Sequence, residues 1–247
     1  MIAITRDVPR TIAKCELTHI DRMPIDYAVA ADQHERYRRL LASLGCKVIS
    51  LPNDDEYPDS VFVEDTAIVL DDLAVITRPG AESRRGETRA IADALAPYRR
   101  LVHIEAPATL DGGDVLVLDD RIYVGLSTRT NEAGIVQLRE LTRREVIPVP
   151  VQGALHLKSA ITRVSRDSLL VNRASVDVAP FDGWKLIDAA EPNALLIGDV
   201  VVYPSAFPET AALLRSRGID VRTVDADELA KAEGGVTCCS LVFSLSS

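Results

Sequence analysis

The chain has few aromatic residues, few cysteines and no long apolar run. Aromatic side chains make up 4% of its 247 residues, which indicates an aliphatic core and argues against a stacking platform for single-stranded nucleic acid. No apolar run approaches the ~18 residues that a membrane-spanning helix needs. The four cysteines, two of them adjacent, do not make a disulfide framework.

The chain also lacks an excess of positive charge and the common nucleotide-binding motifs. It carries 28 Lys and Arg against 37 Asp and Glu, and this net charge of −9 argues against nucleic acid or an anionic membrane as the main partner. Neither G-x-G-x-x-G nor a P-loop occurs. Residues 1–6 predict a strand rather than a signal peptide. We therefore expect a soluble, cytoplasmic enzyme, monomeric or homodimeric, that binds a small molecule and neither nucleic acid nor membrane.

A pattern of strand, turn, strand, helix and strand recurs along the chain. In its first copy, residues 65–78 form two apolar strands around an Asp-Asp turn, and a helix over about 84–95 precedes a strand near 101–104. The pattern returns from residues 114, 159 and 194, with a weaker helical stretch in the third copy. A doubly wound α/β sheet is the alternative architecture. It is disfavoured because short turns join antiparallel strands, whereas the parallel strands of such a sheet need long crossover connections.

The two ends of the chain together supply a fifth copy. The C-terminal strand over residues 240–245 lacks a partner and a helix. The N-terminal part provides a strand at 2–5, a helix over about 27–44 and a strand at 47–51. Five such units predict a closed ring of α/β repeats. We expect residues 1–247 to form a single catalytic domain, with the fifth unit completed by both termini.

Polar side chains gather at or just before the first strand of the units. In a closed ring these strands converge on the axis, so their polar ends should meet at one place. The same structural position therefore recurs with chemically active side chains in it. The four segments are PDSVFVED (58–65), LDGGD (110–114), LHLKS (155–159) and GGVTCCS (234–240).

Three of these segments together contain a nucleophile, a base and an acid. Taken singly, Asp111 could form a turn with its glycines, His156 could be a core histidine and Cys238 an inert buried thiol. Taken jointly, they have the composition of a Cys–His–acid catalytic site. Zinc is disfavoured, because Cys238 and Cys239 are adjacent and His156 has no second histidine nearby. We expect no metal and no cofactor.

The chain resembles the dimethylarginine dimethylaminohydrolases (dimethylargininases), a family of the guanidino-group-modifying superfamily of arginine deiminases and amidinotransferases. This resemblance implies a five-bladed α/β propeller (the pentein fold), in agreement with the repeat count. It also implies hydrolysis of asymmetric dimethyl-L-arginine and monomethyl-L-arginine to L-citrulline and an alkylamine, through a covalent cysteine thiouronium. Beyond the polar segments above, it rests on ITRPGAESRRGE (76–87), ATLDGGDVLVL (108–118) and YVGLSTRTNEAG (123–134).

The resemblance assigns roles to particular residues. It implies that Cys238 is the nucleophile, His156 the general base and Asp111 its acidic partner. Arg84 and Arg129 match the pair that binds the substrate α-carboxylate. The remaining expected substrate contacts are Asp59, Glu64, Asp65 and Leu17, the last in a possible lid over residues 14–24.

Two other functions stay open at this point. An arginine deiminase or related guanidine hydrolase would use the same three catalytic residues, but the short chain without an inserted helical domain favours a dimethylargininase. A non-catalytic sensor of arginine or citrulline would have no need of a thiol. The presence of Asp111, His156 and Cys238 therefore speaks against a sensor.

Overall fold

Fifteen strands form five three-stranded sheets in the computed structural model, which describes residues 1–245. The last two residues of the domain expected above lie outside the described part. The strands are β1 Ile2–Arg6, β2 Lys47–Leu51, β3 Ala67–Val69, β4 Leu73–Ile76, β5 Arg100–His103, β6 Val115–Leu118, β7 Arg121–Leu126, β8 Glu145–Pro150, β9 Ile161–Arg163, β10 Ser168–Val171, β11 Lys185–Asp188, β12 Leu195–Ile197, β13 Val200–Pro204, β14 Asp220–Val224 and β15 Leu241–Phe243.

All five sheets share one pairing pattern. The middle strand runs antiparallel to the first strand and parallel to the third, as in β3-β4-β5. The fifth sheet combines both chain ends, because β15 pairs antiparallel with β1 and β1 pairs parallel with β2. The first strands β3, β6, β9, β12 and β15 all line one axial cavity of about 560 Å³. The predicted five-bladed α/β propeller is confirmed, and the doubly wound sheet is wrong.

Helices connect the second and third strands in four of the five blades. The side chain of Asp26 caps the first helix by accepting from the backbone N–H of Ala28 and Val29, and Gly45 with φ +86° follows its last turn. The six α-helices of the described residues, two of them single turns, are α1 Tyr27–Ser43, α2 Thr88–Leu95, α3 Glu132–Leu141, α4 Leu157–Ala160, α5 Pro208–Ser216 and α6 Asp227–Ala230.

The third blade differs from the sequence expectation. In place of a helix between β10 and β11 it has one 3₁₀ turn, Ala179–Phe181. Pro180 removes a backbone donor, and the neighbouring segment offers no regular apolar stripe to bury. The crossover is therefore made by a loop, with Phe181 stacked on Tyr123 of the neighbouring blade at 4.5 Å between ring centroids.

Aliphatic clusters fill the spaces between neighbouring blades. One joins the first and second blades through Ile68, Val75 and Val124, and another lies where the fifth blade meets the first around Ile4 and Ile76. Cys15 and Cys46 are both buried in a further core cluster. Within residues 1–245 no helix is both long and apolar enough to cross a membrane.

Candidate active site

A small cavity lies where the loops before the first strands meet. Its volume is about 20 Å³, roughly the space of one water molecule. Side chains from the first, second, third and fifth blades reach it, which brings together residues far apart in the sequence. Among the predicted site residues, the cavity is lined by Asp59, Asp65, Arg84, Arg129, His156 and Cys238.

The imidazole of His156 lies between two carboxylates. Its Nε2 is 3.0 Å from Oδ2 of Asp111, and its Nδ1 is 3.7 Å from Oδ1 of Asp65. Asp111 is fully buried, and its other oxygen accepts a hydrogen bond of 2.8 Å from the backbone N–H of Gly80. The carboxylate of Asp111 is thus held between the ring of His156 and the backbone of Gly80, which fixes the orientation of the ring.

These carboxylates keep His156 protonated at neutral pH. Burial alone would lower the pKa of His156, but the charge of Asp65, the hydrogen bond to Asp111 and the charge of Asp114 raise it to about 9. Burial alone would raise the pKa of Asp65. The positive charges of His156 and Arg84 outweigh burial and hold the pKa of this carboxyl below its usual range. His156 is therefore poised to donate a proton.

Asp65, Asp111 and His156 also offer three ligand atoms within 4.8 Å of one another. A metal ion would need the neutral imidazole, whereas the raised pKa of His156 favours the imidazolium. The negative charges of Asp65 and Asp111 are balanced by the imidazolium of His156 and by Arg84. The cluster fits acid–base chemistry better than metal binding.

Cys238 lies on a tight loop just before β15. Its backbone N–H donates to the carbonyl of Gly235 at 3.2 Å, and its Sγ accepts from the backbone N–H of Gly235 at 3.3 Å. Burial, followed by the charges of Glu64 and Asp65, raises the pKa of Cys238 to about 12. The thiol is therefore protonated at neutral pH. A cationic group bound in the cavity would favour the thiolate.

We predict that kcat/KM for a reaction of the Cys238 thiol in this cavity rises with pH up to about 9. If Cys238 reacts as the thiolate beside a protonated His156, the reactive form holds one proton fewer than the form that dominates at neutral pH. The profile should climb about tenfold per pH unit and level off where His156 titrates. Initial rates between about pH 6 and pH 10 at constant ionic strength test this. A profile that is flat or falls between about pH 7 and pH 9 would contradict it.

The two glycines of LDGGD let the backbone of this segment pass close to Glu64, Asp65 and His156. A Cβ on Gly113 would lie 2.6 Å from both Oδ1 of Asp65 and Nδ1 of His156, and one on Gly112 would lie 2.0 Å from the carbonyl oxygen of Glu64. The backbone N–H of Gly113 also donates to Oδ1 of Asp65 at 3.0 Å. The segment is therefore part of the site rather than only a turn.

The two predicted carboxylate-binding arginines differ in their surroundings. Arg84 is buried and donates to Asp65 at 2.6 Å, to both oxygens of Glu87 and to the carbonyl of Phe62, so most of its N–H groups are used. Within the described residues, the guanidinium of Arg129 donates one hydrogen bond, to Oγ1 of Thr18 at 3.1 Å. Arg129 therefore has more free donors for a substrate carboxylate.

Two predicted substrate contacts do not line this cavity. Glu64 lies behind the nucleophile loop and on the axial cavity, where it accepts from Thr237 at 2.8 Å and pairs with Lys158. Leu17 is half-buried and packs against the core cluster that contains Cys238.

The loop over residues 14–24 covers the site through its backbone. The N–H of Glu16 donates to the carboxylate of Asp59 at 3.1 Å. The side chain of Glu233, itself on the cavity wall, accepts from the N–H groups of Thr18 at 2.7 Å and His19 at 2.6 Å. These contacts hold the loop against the cavity wall.

Asp114, which was not among the predicted site residues, is a buried carboxylate that holds the segment carrying His156. Its oxygens accept from the backbone N–H of Leu157 at 2.9 Å and from the hydroxyls of Ser127 and Thr130 at 2.6 Å. Burial raises the pKa of Asp114 to about 6. The signal was present, since LDGGD contains a second carboxylate. Phe62, Leu155 and Glu233 on the cavity wall were missed as well.

The chain is similar to known proteins over most of its length. Residues 21–180 match the family model "N,N dimethylarginine dimethylhydrolase, eukaryotic". The N(G),N(G)-dimethylarginine dimethylaminohydrolase of Streptomyces coelicolor is 40% identical over 245 residues, covering 96% of this chain and 95% of that protein. The enzyme of the same name from Pseudomonas aeruginosa is 35% identical over 228 residues, covering 88% and 90%.

Solved structures of other proteins share the fold of this chain. A cysteine-to-serine mutant of the Pseudomonas aeruginosa enzyme in complex with citrulline superposes with a TM-score of 0.92 at 33% identity, covering 98% of each chain. The N-terminal domain of ArgZ, a cyanobacterial arginine dihydrolase, shares the fold at 16% identity with a TM-score of 0.87. By its sequence, its five-bladed fold and these relatives, the chain belongs to the N,N-dimethylarginine dimethylhydrolase family.

Proposed function

We propose that this protein hydrolyses asymmetric dimethyl-L-arginine and monomethyl-L-arginine to L-citrulline and dimethylamine or methylamine. Family membership makes it a hydrolase that acts on C–N bonds of the guanidino group. The observation that carries the proposal is that Cys238 and His156 line one small cavity with Asp65 and Arg129. The carboxylate suits a guanidinium, and the free arginine donors suit an α-carboxylate.

The chemistry follows from the protonation states of these groups. The cationic substrate favours the Cys238 thiolate, whose Sγ forms a bond to the guanidinium carbon. The C–N bond to the alkylated nitrogen then breaks as His156 gives that nitrogen its proton, and a thiouronium remains on the sulfur. Water attacks this intermediate and gives one proton to the neutral His156. The C–S bond then breaks to release citrulline and the Cys238 thiolate, and the second water proton goes to the released amine, which leaves as an ammonium ion.

The other predicted residues receive supporting roles in this proposal. Asp65 and Asp59 hold the cationic end of the substrate, and Glu64 acts from behind the nucleophile loop. Arg84 keeps a remaining N–H for the substrate carboxylate while it orients Asp65. We also propose that residues 1–247 act as one catalytic domain, since four blades contribute to the cavity.

Replacement of Arg129 by lysine should weaken substrate binding more than it slows turnover. An ammonium cannot reproduce the two parallel hydrogen bonds that a guanidinium makes with a carboxylate, a loss of about 1.5–3 kcal/mol. We expect KM to rise about tenfold to a hundredfold, with kcat changed much less. Steady-state kinetics measure both constants. An unchanged KM would remove Arg129 from the substrate site.

The cavity must enlarge to admit the substrate, and Leu17 and its neighbours over residues 14–24 form the covering segment. A volume of about 20 Å³ cannot hold a methylated arginine. We expect limited proteolysis to cut this segment in the free protein and to be slowed by citrulline. Equal cleavage with and without citrulline would argue against a lid.

The proposed activity is tested by a citrulline assay on the purified protein. Asymmetric dimethylarginine, monomethylarginine and arginine are compared, with the Cys238→Ser protein as the blank. Turnover of the methylated substrates supports the proposal. Turnover of arginine alone would keep the chemistry but make the protein a deiminase, and no turnover of any of the three would favour a sensor.

A further inference from the structure

The loop just before the first strand carries a polar side chain of the candidate site in four blades. Asp65, Asp111, His156 and Cys238 lie two to five residues before the start of β3, β6, β9 and β15, respectively. In the fourth blade, the corresponding loop carries Asn193, two residues before β12. Asn193 does not line the substrate cavity. Its side chain points instead at the two segments that carry the nucleophile and the base.

Asn193 bridges these two segments through its amide. Its Nδ2 donates to Oγ1 of Thr237 at 2.9 Å and to the carbonyl of Lys158 at 3.2 Å. Its Oδ1 accepts from the backbone N–H of Thr237 at 3.1 Å. Thr237 immediately precedes Cys238, and Lys158 is two residues from His156. One side chain thus ties the nucleophile loop to the base segment.

Asn193 is itself held in place on both sides. The hydroxyl of Thr162 donates to the carbonyl of Pro192 and accepts from the N–H of Ala194 at 3.2 Å. The amide also packs against Gly235, where an added Cβ would lie 2.4 Å from Oδ1 of Asn193. Gly235 is the residue whose N–H donates to the thiol of Cys238. The amide therefore supports the turn that orients the sulfur.

We propose that Asn193 is a positioning residue, which sets the nucleophile loop relative to the base for the proposed hydrolysis. The inference rests on that proposed function. Because Asn193 contacts the loops and not the cavity, its loss should reduce turnover and leave substrate affinity nearly unchanged. A misplacement of reacting groups by about 1 Å costs on the order of a hundredfold in rate.

The test compares Asn193→Ala and Asn193→Asp with Asn172→Ala. Asn172 is a matched control, because its amide also makes hydrogen bonds at 3.0 Å, to Ala190 and from Ala174, but none to the nucleophile loop. For each protein, kcat, KM and the thermal unfolding midpoint are measured. The pH dependence of Cys238 alkylation by iodoacetamide, followed by mass spectrometry, gives a readout that needs no substrate.

We expect Asn193→Ala to lower kcat about thirtyfold to a hundredfold with KM within about threefold, and Asn172→Ala to change neither. Asn193→Asp keeps the shape but loses the donor and adds negative charge beside Thr237. It should lower kcat and move the alkylation midpoint up by on the order of one pH unit.

The inference is overturned if Asn193→Ala keeps a kcat within about threefold of the unchanged protein, or if Asn172→Ala loses as much. Should Asn193→Ala not fold, Asn193→Asp decides alone, and an unchanged kcat and alkylation midpoint overturn the inference. Failure of the proposed function is distinct, because the unchanged protein would then not turn over methylated arginine while the alkylation comparison still tests Asn193.

Discussion

Replacement of Cys238 by serine should abolish citrulline formation while the protein stays folded. A serine hydroxyl fits the same space and can accept the N–H of Gly235, but it ionises far less readily than a thiol. We expect kcat to fall about 10⁴-fold or more and the free energy of unfolding to change by less than about 1 kcal/mol. The citrulline assay and thermal unfolding measure the two effects.

Cys239→Ser is the matched control for this experiment. Its Sγ contacts the carbonyl of Gly235 at 3.5 Å, and a hydroxyl can keep that hydrogen bond. Calorimetric titration with asymmetric dimethylarginine should still show binding to the Cys238→Ser protein. If Cys239→Ser is the inactive variant, or if Cys238→Ser turns over normally, the assignment of the nucleophile is wrong.

Replacement of Asp111 by asparagine should have the second largest effect. An amide has one oxygen to offer, whereas Asp111 now accepts from both Gly80 and the ring of His156. In either orientation of the asparagine amide, its NH₂ group faces a buried N–H donor. The substitution also removes the negative charge that helps raise the pKa of His156. We expect a loss of about 10³-fold to 10⁴-fold in kcat.

The same variant should change the pH dependence. Because the pKa of His156 falls when the Asp111 charge is lost, the rise of kcat/KM should level off at a lower pH than in the unchanged protein. Asp120→Asn in the exposed turn between β6 and β7 is a control with the same loss of charge. More than about a tenth of the activity remaining in Asp111→Asn would show that Asp111 does not govern His156.

Much of the architecture could be predicted because it is encoded locally. Apolar runs, two-residue turns and helix-ending glycines such as Gly218 are properties of short segments, and their repetition indicated the ring. The candidate triad followed from that repetition, because equivalent positions in a closed ring must meet near its axis. Asp111, His156 and Cys238 were therefore found at positions more than forty residues apart.

Side-chain partners could not be predicted in the same way. Arg84 looked like a simple carboxylate ligand, but Asp65 and Glu87 take up most of its donors. Glu64 was grouped with Asp65 because the two residues are adjacent in the sequence. Neighbouring side chains point in different directions, however, and that of Glu64 lies against Thr237 and the axial cavity. Asn193 carried no signal in its own segment, because its partners lie in other blades.

The repeated strand, turn and helix units and the order of their strands can be read from the amino-acid sequence, because four of the five blades each lie within about fifty residues and the two chain ends supply the fifth. By contrast, the raised pKa values of His156 and Cys238, the small volume of the cavity and the bridge made by Asn193 arise only when the blades pack together. These properties depend on burial and on distances between separate blades, and electrostatic interactions strengthen when water is excluded.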